Sequence, residues 1–85
     1  MANNRSAAAG TNLNRLAYFA AVVEADTFTA AAERLGITKA VVSQQVARLE
    51  QDLGTTLLTR STRRVQLTDA GRGFYERCAA ILRDA

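Results

Sequence analysis

Apolar residues recur at helical spacing in the segment NLNRLAYFAAVVEAD. Leu13, Leu16, Ala20 and Val23 fall on one face, with Phe19 beside them. Asn12 can cap this run, which predicts a helix over about 13–25 that ends at the ADTF break. In TFTAAAERLG, Thr29 is a candidate cap, Ala30 to Ala32 favour helix and Gly36 closes it, predicting a short helix over about 30–35. Its three alanines let another helix approach closely. Gly36-Ile37-Thr38 is a tight connection, with Thr38 as N-cap for KAVVSQQVARLEQDLG and Gly54 as the stop. Val42, Val46, Leu49 and Leu53 stand at i, i+4, i+7 and i+11. At about 100° per residue they make one apolar stripe. Ala40, Gln44, Ala47, Arg48 and Gln51 lie opposite, with Lys39 and Ser43 on the flanks.

After Gly54 the period changes. Leu58 to Ser61 and Val65 to Leu67 alternate around a Thr62-Arg63-Arg64 bend, which predicts a small β-hairpin. Thr68-Asp69 then opens a last helix, with Asp69 favourable at the positive end of its dipole. Phe74, Cys78, Ile81 and Ala85 line one face, Leu82 is adjacent, and no stop signal follows. Two helices joined by a glycine-containing turn, the second with one apolar and one polar face, form the helix-turn-helix pattern. Followed by a hairpin and a further long helix, it predicts a mainly α winged helix-turn-helix: three helices, a short two-stranded β-hairpin wing and a long C-terminal helix.

Composition narrows the chemistry. The chain has 85 residues and a formal net charge of +3, the size of one domain with a small core. No apolar run is long enough to predict a membrane span. The start, MANNRSAAAGTN, lacks the apolar region of a signal peptide and reads as a flexible polar tail over 1–12. A single cysteine, Cys78, leaves no internal disulfide to form, and a cytoplasmic protein is expected. With no histidine and one cysteine, neither a zinc site nor any other cofactor is expected. No nucleophile–base pair is evident, so the chain does not read as an enzyme.

Charge is placed unevenly. Between Arg34 and Leu67 the bases are Arg34, Lys39, Arg48, Arg60, Arg63 and Arg64, against the acids Glu50 and Asp52. A basic centre in a small domain suggests a polyanionic partner; simple surface solubility is the competing reading. A helix in the DNA major groove presents its N-terminal residues to base edges, here Thr38, Lys39, Ala40, Ser43 and Gln44. Lys39 can donate to guanine O6 and N7, Gln44 can pair with adenine N6 and N7, Ser43 can donate or accept, and the Ala40 methyl can touch a thymine methyl. Arg48, about two turns in, suits phosphate. Arg63 and Arg64, at the hairpin tip, suit phosphates or a narrow minor groove. Against these stand plainer roles. Ser43 can be a small residue at a helix crossing, Lys39 and Gln44 a solvated face, and Arg60 a partner for an acid of the body. Cys78 reads as inert core or interface.

The run LAYFAAVVEADTFTAAAERLGITKAVVSQQVARLEQDLGTTLLTRSTRRVQLTDAG resembles the N-terminal domain of LysR-type transcriptional regulators of bacteria. The marks are FTAAAERLGIT, the helix bearing Ser43 and ending RLEQDLG, and the spacing R..R.V.LTDAG from Arg60 to Gly71. The resemblance implies a double-stranded DNA reader of an interrupted palindrome, associated with the nucleoid. It divides the chain into a tail at 1–12, a winged helix-turn-helix DNA-binding domain at 13–67 and a linker helix at 68–85. That helix would form a homodimer across a face of Phe74, Cys78, Ile81, Leu82 and Ala85. A small-molecule effector would act only through a C-terminal domain outside this chain. The chain departs from the family's usual Ser-Gln-Pro-Ala start of the reading helix. Lys39 stands for the usual Gln and Ala40 for the usual Pro, while Gln44 and Ala47 stand where basic residues are common. The rival reading is a winged helix that binds protein, which steep salt dependence of binding would exclude.

Overall fold

The computed structural model describes residues 2–60 and 64–84. The order is α1 (Ala2–Ala25), α2 (Phe28–Leu35), α3 (Lys39–Leu53), β1 (Leu58–Arg60), β2 (Val65–Leu67) and α4 (Asp69–Asp84). The two strands pair antiparallel, Leu58 with Leu67, Thr59 with Gln66 and Arg60 with Val65. This is the winged helix predicted from the periodicity.

Two boundaries differ from expectation. α1 begins at Ala2, not near 13, so the stretch expected as a tail is helical and continuous with the apolar run. The alanines at 7–9 carry the highest helix propensity and let the helix propagate past Asn12. α2 begins at Phe28, and its cap is Thr27 rather than Thr29: the Thr27 hydroxyl accepts from the Ala30 N–H at 3.0 Å. Burial of the Phe28 ring in the core favours the earlier start.

The ends of α2 and α3 are built alike. Gly36 and Gly54 adopt left-handed backbone at φ 69° and 66°. At Gly36, the N–H donates to Glu33 O and the next N–H, of Ile37, donates to Ala32 O. At Gly54 the same pair runs from Gly54 to Gln51 O and from Thr55 to Glu50 O. This Schellman pattern satisfies carbonyls that the helix leaves open. Thr38 caps α3 as predicted, its hydroxyl accepting from the Val41 N–H at 3.2 Å.

Phe19 and Val22 of α1, Phe28, Ala31 and Ala32 of α2, and Val42, Val46 and Leu49 of α3 make the core, closed by Leu57, Leu58 and Cys78. Leu53, expected in this stripe, is 44% exposed. The chain leaves the helix at Gly54, and Leu57 packs into the core instead, leaving Leu53 on the rim of a shallow groove with Thr55 and Phe74.

The junction between wing and α4 explains the LTDAG stretch. The Thr68 N–H donates to Leu57 O at 3.0 Å. The Thr68 hydroxyl lies 2.7 Å from Thr56 O and 3.2 Å from Leu57 O; one proton serves one acceptor, and the shorter contact is the bond. The same oxygen accepts from the Gly71 N–H at 2.9 Å, capping α4. A Cβ on Gly71 would sit 2.0 Å from Leu57 O, so only glycine fits; around Gly73, two residues on, there is open space. Gly71→Ala is therefore expected to destabilise the domain by roughly 1–3 kcal/mol or more, as overpacking against fixed backbone does. Gly73→Ala should stabilise it by about 0.5–1 kcal/mol through helix propensity. Urea midpoints of the two variants check the contrast.

Candidate nucleic-acid interface

α3 is held by its apolar stripe, so its opposite face is fixed in direction. Thr38, Lys39, Ala40, Gln44, Ala47 and Arg48 are exposed, and Ser43 is half-buried. Thr38 is occupied as the cap through its hydroxyl, yet remains at the surface. Lys39 and Ser43 lie on one flank of this face, and Arg48 on the other. No acid stands in the first turn of α3, so the positive end of its dipole is not offset there.

The two acids of the basic segment have structural partners. Glu50 Oε2 accepts from the backbone N–H groups of Leu57 at 2.8 Å and Leu58 at 3.1 Å. It thereby satisfies the donors at the start of β1. Asp52 pairs with Arg15 of α1 at 2.6 Å, and Arg15 Nε also donates to Gln45 Oε1 at 3.2 Å. Arg15 therefore ties α1 to two points of α3 about two turns apart. Sequence reasoning found neither role, since nothing in the local pattern marks a contact between residues so far apart in the chain.

In the wing, Arg60 is the residue whose partner differs from expectation. Its guanidinium lies 4.5 Å from the centre of the Phe28 ring, a cation–π contact with the body and not an ion pair with an acid. The register explains it, because Arg60 shares a strand face with buried Leu58. The Asp26 carbonyl accepts from the Val65 N–H at 3.0 Å, which fastens β2 to the end of α1. Asp26 itself has φ 70°, an uncommon conformation for a residue other than glycine. Arg64 is exposed just before β2, whereas Arg63 lies outside the described residues.

The face expected to mediate a dimer is used in part by the domain itself, and of the two readings of Cys78 the core one holds. Cys78 is 1% exposed and belongs to the domain's own core, so it offers no surface to a partner. Phe74 is half-buried, its ring centroid 5.6 Å from that of Phe19, and Tyr75 packs on the same ring at 6.5 Å. α1 thus covers much of the face that periodicity left open. Ile81 is 45% exposed, Leu82 is half-buried, and Ala85 lies outside the described residues. Tyr75 donates its hydroxyl to Glu24 Oε2 at 2.9 Å, and this bond, with desolvation, raises the phenol above its ordinary range. Burial pushes the Cys78 thiol up to about 11. Among the described residues there is no cluster of metal-ligating side chains. Among them, too, no helix is long and apolar enough to cross a membrane.

One surface residue of α3 escaped the sequence reading. Val41 is 38% exposed, although Val42 beside it is fully buried. The helical wheel carried the signal, since Val41 is turned about 100° from the apolar stripe.

Helix-turn-helix, hairpin and closing helix define a winged helix-turn-helix domain. The chain belongs to the lysR family of bacterial regulatory helix-turn-helix proteins, whose family model matches residues 13–72. It is similar to the HTH-type transcriptional regulator PtxR of Pseudomonas aeruginosa, 60% identical over 64 residues, which are 75% of this chain and 20% of that protein. It is also similar to the HTH-type transcriptional regulator BudR of Raoultella terrigena, 53% identical over 70 residues, 82% of this chain and 24% of that one. The chain therefore spans about a fifth to a quarter of the length of these relatives. Among solved structures it resembles a BenM_DBD/catB site 1 DNA complex, with TM-score 0.82 and 42% identity over 85% of this chain and 77% of that one. A CbnR_DBD–DNA complex gives TM-score 0.81 and 44% identity over 84% of this chain and 82% of that one.

The buried thiol gives a test of the α1–α4 packing. Below pH 9 the thiol is protonated in both folded and unfolded chains and adds no pH dependence. Above it the unfolded chain loses the proton first, so stability is lost as pH rises from about 9 towards about 11. Cys78→Ala should remove this part of the alkaline decline, read from urea midpoints across that range. In native wild type, alkylation of Cys78 should be slow and become fast in denaturant.

Proposed function

We propose that this domain binds double-stranded DNA sequence-specifically, as the operator-reading part of a bacterial transcriptional regulator without enzymatic activity. The observation that carries the reading is α3 itself. Val42, Val46 and Leu49 anchor it in the core, while Lys39, Ala40, Gln44 and Arg48 stand exposed on its outer side. The N-terminal turns, with Thr38, Lys39, Ala40, Ser43 and Gln44, enter the major groove, and Arg48 meets phosphate. Arg63 and Arg64 flank the groove from the wing, on the sugar-phosphate backbone or in the minor groove. The DNA complexes of BenM and CbnR domains support the same use of this fold.

A two-fold homodimer would set two such helices on an interrupted palindrome. With Cys78 withdrawn into the core, the contact falls to the last turns of α4, through Ile81 and Leu82 and, in part, Phe74. An effector would act through a further domain of the kind the longer relatives have room for, and the regulator would work in the cytoplasm on the nucleoid.

Gln44→Ala and Ser43→Ala are each expected to weaken binding to a duplex selected from random sequence by about 1–3 kcal/mol, the worth of one base-edge interaction, with little change on a scrambled duplex. Arg63→Ala and Arg64→Ala should weaken both duplexes, each lowering the slope of log affinity against log salt by about one. Unaltered affinity and slope in all four variants would return the basic surface to simple solubility.

Ile81→Asp tests the dimer separately. Sedimentation should show a folded monomer where wild type dimerises. An unchanged mass would move the interface off the end of α4.

A further inference from the structure

We propose that Val41 is a specificity-determining residue that reads the C5-methyl group of a thymine in the major groove. The inference rests on the reading of α3 given above and adds to it an interaction with one chemical group. The Val41-Val42 pair is divided between two environments. Val42 is fully buried in the core, while Val41 is 38% exposed on the first full turn of α3.

What the Val41 side chain meets outside the domain is an apolar question. Its own N–H is already satisfied by the Thr38 hydroxyl at 3.2 Å, so the backbone asks nothing of a partner. Gln44 and Arg48 follow at i+3 and i+7 and continue its stripe along the exposed side of the helix. Gln45, at i+4, is turned to Arg15 of α1 and does not compete for the same space. Val41 thus offers exposed apolar surface at the N-terminal end of a row that continues with the polar Gln44 and the basic Arg48.

In a major groove the base edges present donors and acceptors, and the one methyl group among the four bases is that of thymine. An aliphatic side chain in the groove buries most apolar surface there. Valine suits the thymine methyl because its branched side chain holds one strongly preferred rotamer in a helix, so little freedom is given up on binding. Ala40 has a methyl nearer the helix start, but Val41 carries more apolar surface on a side chain of fixed direction.

The test is substitution of uracil for thymine, one position at a time, in a duplex selected by the wild-type domain. Uracil keeps every hydrogen-bonding group and removes the methyl alone. Wild type should bind roughly three- to five-fold more weakly at one or more positions, the factor expected when one methyl is no longer buried. Val41→Ala should show that weakening already on the thymine duplex and no further weakening with uracil at that position. Val41→Ala keeps the fold, because the residue is outside the core and alanine is the better helix former; circular dichroism checks this. Equal uracil penalties for wild type and Val41→Ala at every position would overturn the proposal while leaving α3 as the reading helix, provided Gln44→Ala still alters specificity. Failure of wild type to select any sequence would overturn both.

Discussion

The backbone of Leu57 is the point at which the domain is joined. Its N–H is held by the Glu50 carboxylate of α3, and its carbonyl accepts from the Thr68 N–H. That carbonyl presses so closely on Gly71 that no side chain fits there. Its own side chain is 1% exposed, under the helices. One residue therefore fixes three relations at once: α3 to the wing, the wing to α4, and both to the core. Backbone groups buried in this way cannot be left without partners, because an unmade hydrogen bond costs its full desolvation. The carboxylate of Glu50 and the backbone N–H of Thr68 are thus part of the fold and not surface decoration.

Two further ties join the elements around α3. Arg15 reaches from α1 to Gln45 and Asp52, and the stacked Arg60 holds the wing against Phe28 of α2. A partly buried ion pair of this kind contributes less by its Coulomb energy than by fixing the angle at which α3 sits. For a helix that must place several side chains against a rigid partner, that angle decides whether they arrive together.

The sequence disclosed the order of elements because each has its own period and its own punctuation. Thr38, Gly36 and Gly54 mark the bounds of α2 and α3 by mechanisms that act within a few residues. The choice between Thr27 and Thr29 was not legible, since either threonine caps locally and only the burial of Phe28 separates them. Nor was the end of the apolar stripe, because Leu53 keeps the period but the chain turns away beneath it. Cys78 shows the same limit from the other side. Periodicity finds an apolar face on α4 but cannot say which neighbour covers it, and here that neighbour is α1 of the same domain through Phe19. The polar side of α3 was legible from the wheel, whereas the partners of Arg15, Glu50 and Arg60 depend on interactions between residues distant in sequence.

Those distant interactions also sort the charges. In the segment from Arg34 to Leu67, Glu50 is turned to the backbone of β1 and Asp52 to Arg15. Glu50 is thereby occupied towards the wing, and Asp52, though 54% exposed, is paired with Arg15, while Lys39 and Arg48 remain exposed. The formal net charge of the chain is only +3, so a basic surface cannot come from composition alone. It comes from geometry: the acids are placed where the fold needs acceptors, and the start of α3 keeps the positive end of its dipole without an acid beside it. The hydrogen bonds and the ion pair that close the fold around α3 thus also engage the two acids of the basic segment.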